Sequence, residues 1–194
     1  MLVDRRRRRA TQQGTTMLEV LITIIILAFG LLGLAGLQGK ITLAEMESYQ
    51  RAQAVVLMND MVDRINTNRS DAASYVSAAA IGTGDTQPAS CSALAAGMAR
   101  DRCEWSNALK GAAETSGSTK IGGMIGALGC VQLIQAENNT PGVCTPGIYL
   151  VTVAWQGLNM TSTPSANCGQ NSYGDERYRR AISTRVSIGL PSCQ

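Results

Sequence analysis

The 194-residue sequence contains no histidine, one phenylalanine and two tryptophans. Without histidine, the commonest general base is missing, and with it the serine and cysteine triads. The six cysteines include no C-x-x-C pair, which leaves redox-active dithiol and zinc readings without support. Gly122, Gly123, Gly126 and Gly129 follow neither the Walker order nor G-x-G-x-x-G, and no D-x-D-x-D-G calcium loop occurs. Asp175 and Glu176 are neighbours in sequence, so in a strand they would point to opposite faces and could not work as a paired acid and base. The chain is therefore read as a non-enzyme that needs no cofactor and no metal.

Charge is missing from one stretch in particular. Val20 to Leu37 is 18 residues without a charged side chain. As helix it would extend roughly 27 Å, close to the hydrocarbon thickness of a bilayer. Arg5 to Arg9 precede it, and arginine flanks stay cytoplasmic, so a single pass with the N-terminus inside and the remainder exported is expected. An ordinary secretory signal would be cut after the apolar region at small residues. The nearest such match, Ala28-Phe29-Gly30, lies inside the run. The whole sequence carries 17 basic and 14 acidic residues, net +3. Removing residues 1–14 takes away Arg5 to Arg9 and Asp4, leaving 12 basic and 13 acidic, net −1. The basic excess is thus a topology signal, and nucleic acid is not an expected partner.

One acid, Glu19, stands at the edge of the apolar run, five places after Gly14. A carboxylate near a bilayer costs energy that something must offset. Locally, Thr16-Met17-Leu18-Glu19 fits a capping box, and the acid faces the positive end of the helix dipole. Taken together, the arginines, Gly14-Thr15-Thr16-Met17-Leu18-Glu19 and the apolar run resemble the N-terminus of type IV prepilins. The resemblance implies that a prepilin peptidase cuts after Gly14 and methylates Thr15, where phenylalanine or methionine is commoner. It also implies that Glu19 pairs with the N-terminal ammonium of a neighbouring subunit and sets axial stagger in a filament. The implied domains are a leader over 1–14, a spine helix over 15–66 that spans the membrane at about 18–38, and a periplasmic or extracellular head over 67–194.

Past Leu37 the spine turns amphipathic. Val55, Met58, Val62 and Ile65 recur at three and four residues with Met61 beside them, and Gln53, Asn59, Asp60 and Arg64 lie off the stripe. Gly30, Gly33, Gly36 and Gly39 recur every third residue. They allow either close packing against another helix or loosening of the spine once it enters a filament; many major pilins carry a proline here and this sequence has none. The helix stop at Asn66-Thr67-Asn68-Arg69-Ser70, the run from Met58 to Asn68, and Tyr75 are similar to the spine end of PilV-type minor pilins, the type IV pilus modification proteins.

The remainder predicts an α+β head of pilin-like architecture, with the spine on a small antiparallel sheet. Residues 72–90 read as a surface connection. A second helix is expected over about 93–109, with Leu94, Met98, Trp105 and Leu109 on one face and Trp105 as a core anchor. Residues 111–129 read as loop with room for a short strand. Strands are expected at 130–135, 148–156 and 178–188, with Tyr149, Val151, Val153 and Trp155 on one face, and Ile182, Val186 and Ile188 opposite Arg179 and Arg185. Cys91, Cys103, Cys130, Cys144, Cys168 and Cys193 all fall in this exported half and are read as disulfides. Six cysteines allow fifteen pairings; proximity favours Cys91–Cys103, Cys130–Cys144 and Cys168–Cys193, the last closing a loop around the final strand. Arg177, Arg179, Arg180 and Arg185 form a basic cluster, read as a solvated face or as ion pairs to Asp175 and Glu176 in preference to a DNA-binding stripe.

The resemblance as a whole implies a minor pilin, held first in the inner membrane and later in a type IV pilus at the cell surface, with roles in pilus assembly, adhesion or twitching motility. Its implied partners are other minor pilins, the major pilin, the prepilin peptidase, the inner-membrane assembly platform and membrane lipid. The rivals are a minor pseudopilin of type II secretion, a DNA-uptake minor pilin, and a tethered binding domain cut by ordinary signal peptidase.

Overall fold

The computed structural model describes residues 16–112, 115–116, 119–120 and 124–189. Gly14, Thr15 and Cys193, for which processing and pairing were expected, lie outside them. The chain divides into two compact units at Ala44/Glu45.

Helix α1 runs over Met17–Thr67, close to the expected 15–66. In the first unit its apolar side chains have no cover: Leu27 is 64% exposed and Phe29 72%. A side chain placed at Gly30, Gly33, Gly36 or Gly39 would meet nothing within 4 Å, so among the described residues the four glycines pack against nothing. All four are helical.

In the second unit the helix changes character. Its buried residues are Gln50, Ala54, Met58, Met61 and Ile65, a stripe with the three-and-four spacing of one helix face. Met58, Met61 and Ile65 are buried as expected, and Val62 packs partly buried against them. Val55 is exposed at 39%, and Ala54 takes the buried place because a small side chain lets the helix backbone approach its neighbours closely.

After α1 a 3₁₀ segment over Arg69–Tyr75 delivers Tyr75 to the core. Strand β1 (Ile81–Gly82) follows, inside what the sequence presents as a plain connection. Helix α2 is Met98–Leu109, shorter at its start than expected, so that Leu94 lies outside it. A small hairpin pairs β2 (Thr115–Ser116) with β3 (Thr119–Lys120). The main sheet adds β4 (Leu128–Gln135), β5 (Gly147–Gln156) and β6 (Arg179–Ile188), in the antiparallel order β1-β4-β5-β6.

The two faces of the sheet have different cover. Opposite residues share a face, and the register Tyr149↔Val186, Val153↔Ile182 and Gly147↔Ile188 places Tyr149, Val151 and Val153 of β5 on one face with Ile182, Val186 and Ile188 of β6. Val131, Tyr149, Val151, Val153 and Trp155 join Met58, Met61 and Ile65 of α1 and Trp105 and Leu109 of α2 in one core. Trp105 is fully buried, as expected of a core anchor, and its Nε1–H donates to the Leu57 carbonyl at 2.8 Å. Two glycines are required here. A Cβ at Gly129 would sit 2.1 Å from the Trp105 ring, and Gly82, at φ +123°, would bring one to 2.5 Å from the Ala127 carbonyl oxygen. Neither clash has a soft solution, since one partner is a buried ring and the other is backbone.

The other face carries a smaller core of Leu128, Cys130, Ala154, Cys168 and Tyr173. Here the pairing of cysteines differs from the expectation. Cys91–Cys103 forms, but Cys130 bonds Cys168 with their Cα atoms 5.8 Å apart, which overturns both Cys130–Cys144 and Cys168–Cys193. Cys144 is itself disulfide-bonded. The reason is geometric. Cys130 lies five residues before the end of β4, roughly 17 Å from the β4–β5 connection that holds Cys144, whereas the connection between β5 and β6 folds back across the sheet and sets Cys168 over Thr152. Sequence proximity is a poor guide once a strand carries one cysteine away from the turn.

Candidate assembly surface

The first site is the start of α1. Helix-start hydrogen bonds run to the Thr16 carbonyl, which accepts from the Glu19 and Val20 amides at 3.0 and 3.3 Å. Among the described residues no side-chain bond links Thr16 and Glu19, so the capping box is not formed. Glu19 is exposed in the first turn, where a carboxylate is favoured by the helix dipole. An 18-residue window of this helix has a mean hydropathy of 2.8 and is wholly exposed. Length and composition suffice to cross a membrane.

The second site is a cleft in the second unit, lined by Glu47, Ser48 and Arg51 of α1 with Trp155 and Arg180 of the sheet, about 270 Å³ in volume. One carboxylate oxygen of Glu47 accepts from the Leu158 and Asn159 amides and from Arg180, each at 3.2 Å. Arg180 also donates to the Asn159 and Arg177 carbonyls. Glu47 therefore ties α1 to the turn after β5. Nothing in the sequence around Glu47 signals this, because its partners lie more than a hundred residues away.

The basic cluster is taken apart by the fold. Arg177 pairs with Asp175 and Arg179 with Glu176, both at 2.6 Å, which is the ion-pair arrangement expected. Arg179, however, is not on a solvated face. It is 2% exposed, and its guanidinium donates to the carbonyls of Pro164, Ala166 and Cys168, fixing the long connection from inside. The Arg177 guanidinium holds the exposed Asp175 carboxyl down at about 2. Arg177 and Arg185 are the exposed members of the four, and Arg185 sits on β6 opposite Leu150. No continuous basic stripe results.

Two partly buried polar centres hold the remaining joints. Asp101 of α2 accepts from Tyr75, Asn68 and Arg64; burial and this carboxylate together push the Tyr75 phenol above its ordinary range. Asp85 accepts from the Gly82 and Gln87 amides, the Ser106 hydroxyl and Lys110. Burial alone would raise the Asp85 carboxyl, but Lys110 and the other donors outweigh it and hold it below the usual range. Sequence reasoning missed both roles. The run Thr83-Gly84-Asp85-Thr86-Gln87 did carry a usable signal, since aspartate after glycine favours a side-chain-capped turn. Among the described residues no cluster of histidine, cysteine, aspartate and glutamate is placed to hold a metal ion.

A long apolar N-terminal helix whose second half packs on a four-stranded antiparallel sheet, with disulfides bracing the head, is the pilin fold. Residues 36–108 match the family model Tt1218-like, described as Type IV pilin Tt1218. The match spans the second half of α1 through α2 and supports a type IV pilin. Such a protein is structural in kind, interacts with other pilus components, and is suited by its apolar helix to a membrane and then a pilus. No curated protein and no solved structure matches the chain.

Proposed function

We propose that this protein is a PilV-type minor pilin, made as an inner-membrane precursor with its N-terminus cytoplasmic and its head periplasmic. Cleavage after Gly14 frees the amine of Thr15 for methylation. Glu19 then pairs with the amine of an adjacent subunit while the apolar half of α1 exchanges lipid for neighbouring helices. The observation that carries this reading is the wholly exposed apolar half of α1 with one acid in its first turn. Uncovered surface of that kind requires lipid or other helices around it. In this reading residues 1–14 are the discarded leader, 15–66 the spine and 67–194 the head.

Mass spectrometry of the protein from cells tests it. The expected mature chain begins at methylated Thr15 and is recovered with sheared pili. A Glu19→Ala variant is expected to be processed normally yet depleted from fibres. A chain that keeps Arg5 to Arg9 while pili form normally, or one cut beyond Leu37, would remove the reading. A secretion defect with intact pili on deletion would replace it with the type II pseudopilin.

A further inference from the structure

We propose that the cleft at Glu47, Ser48, Arg51, Trp155 and Arg180 receives a glutamate or aspartate side chain from an adjacent subunit, with Arg51 as the receiving group. This rests on the pilin reading and adds to it a contact beyond the apolar half of α1.

The argument starts from spacing. Glu47 and Arg51 stand four apart on one helix, in the favourable orientation for an ion pair with each other. They do not pair. The Glu47 carboxylate is turned instead to the Leu158 and Asn159 amides and to Arg180, and Arg180 in turn is committed to Glu47 and to two carbonyls. Arg51 is left exposed, with no hydrogen bond or ion pair among the described residues. The cleft thus holds two guanidinium groups and one carboxylate, a surplus of one positive charge that its own acid cannot satisfy without releasing the turn.

Shape selects the ligand. The cleft, at about 270 Å³, accommodates a single side chain. A planar carboxylate can engage the fork of Arg51 with two parallel hydrogen bonds, the Ser48 hydroxyl is beside it as a further donor, and Trp155 supplies an apolar wall for the methylene stem. A lipid phosphate fits less well, because it spreads its charge over more oxygens than one uncommitted guanidinium can meet and would lie against the Glu47 carboxylate. The chain itself displays acids of the right kind, Glu45, Asp63, Asp71 and Glu137 all being exposed, so a second copy or a related subunit can supply the partner group.

The test uses the full-length protein in cells. Arg51→Glu is expected to lower recovery in sheared pili about tenfold, because like charges then face each other across the contact, while membrane level and cleavage after Gly14 stay unchanged. Arg51→Lys is expected to retain most of the recovery. A photo-crosslinking amino acid at position 48 should bond to another pilus subunit close to an acidic residue, and exchanging that acid for arginine should restore Arg51→Glu. Normal fibre recovery of Arg51→Glu, or crosslinks to lipid alone, overturns the cleft contact and leaves the pilin reading standing. Absence of the wild-type chain from pili overturns both.

Discussion

The two halves of α1 are one continuous helix with opposite relations to their surroundings. Over residues 20–37 the sequence is apolar all round, and the side chains are open: Leu31, Leu32 and Leu34 are 66, 73 and 57% exposed. From Gln50 onward one apolar face is shut, with Ala54, Met61 and Ile65 at 0%, and the other side is mostly polar, Val55 and Val56 apart. A helix apolar on every side expects an apolar solvent, whereas an amphipathic one expects a protein core on one side and water on the other. The contrast teaches that helix formation and burial are separate questions here. The first half is left uncovered by the described residues, and the second is covered by the head core that it joins.

The comparison is broken most severely at Trp105. Trp105→Ala removes a fully buried ring and the donor to the Leu57 carbonyl, and a loss of about 3 to 5 kcal/mol of head stability is expected. Leu27→Ala, on the open half, should leave the same transition unchanged. Denaturant unfolding of the full chain in mild detergent, followed by tryptophan fluorescence (Trp155 alone in Trp105→Ala), reads both. Equal losses would mean that the two halves share one core.

A smaller effect concerns acid. The native Asp85 carboxyl lies below its unfolded value, so the native state binds fewer protons than the unfolded one as pH falls. Stability from this group is complete above about pH 4 and is lost as pH falls through the native value. Asp85→Asn should therefore flatten part of the acid limb of head stability, a change visible as a shallower slope of unfolding midpoint against pH. The open half of α1 has no comparable carboxylate network, and its helicity in detergent should not follow the same slope. An unchanged slope in the variant would show that the acid limb belongs to other groups.

How much of this was legible in the sequence follows the same division. The apolar run, the length of α1 and three of the strands were readable because each is written in a local period: an unbroken run, a three-and-four stripe, or alternation. Trp105 was readable as an anchor for the same reason. The joints were not. Cys130–Cys168, Glu47 with the turn at Leu158, and Arg179 inside the loop that it holds all connect residues whose proximity depends on where the sheet carries them. The Arg179 ion pair to Glu176 was readable from their closeness in sequence, but its burial was not, because alternation says which side of a sheet a residue takes and not what covers that side. Strand β1 was missed because two residues are too few to show a period.

The finest probe of the comparison is Gln50, where the closed half of the helix begins. Gln50 is 7% exposed and its Oε1 has no hydrogen-bond partner. A buried acceptor without a donor loses its hydration and regains nothing, whereas an apolar side chain of similar length keeps the contacts without that loss. Gln50→Met is expected to stabilise the head by about 1 kcal/mol. Gln53→Met makes a matched control, because Gln53 is only half-buried and already donates to the Tyr49 hydroxyl at 3.0 Å; it should give no gain. If both substitutions stabilise equally, the benefit comes from helix propensity along α1, and the sharp onset of the closed half at Gln50 is lost. If only Gln50→Met does, the polar residue at the boundary is a cost that the chain retains, and its effect on recovery in sheared pili then shows whether that cost serves assembly.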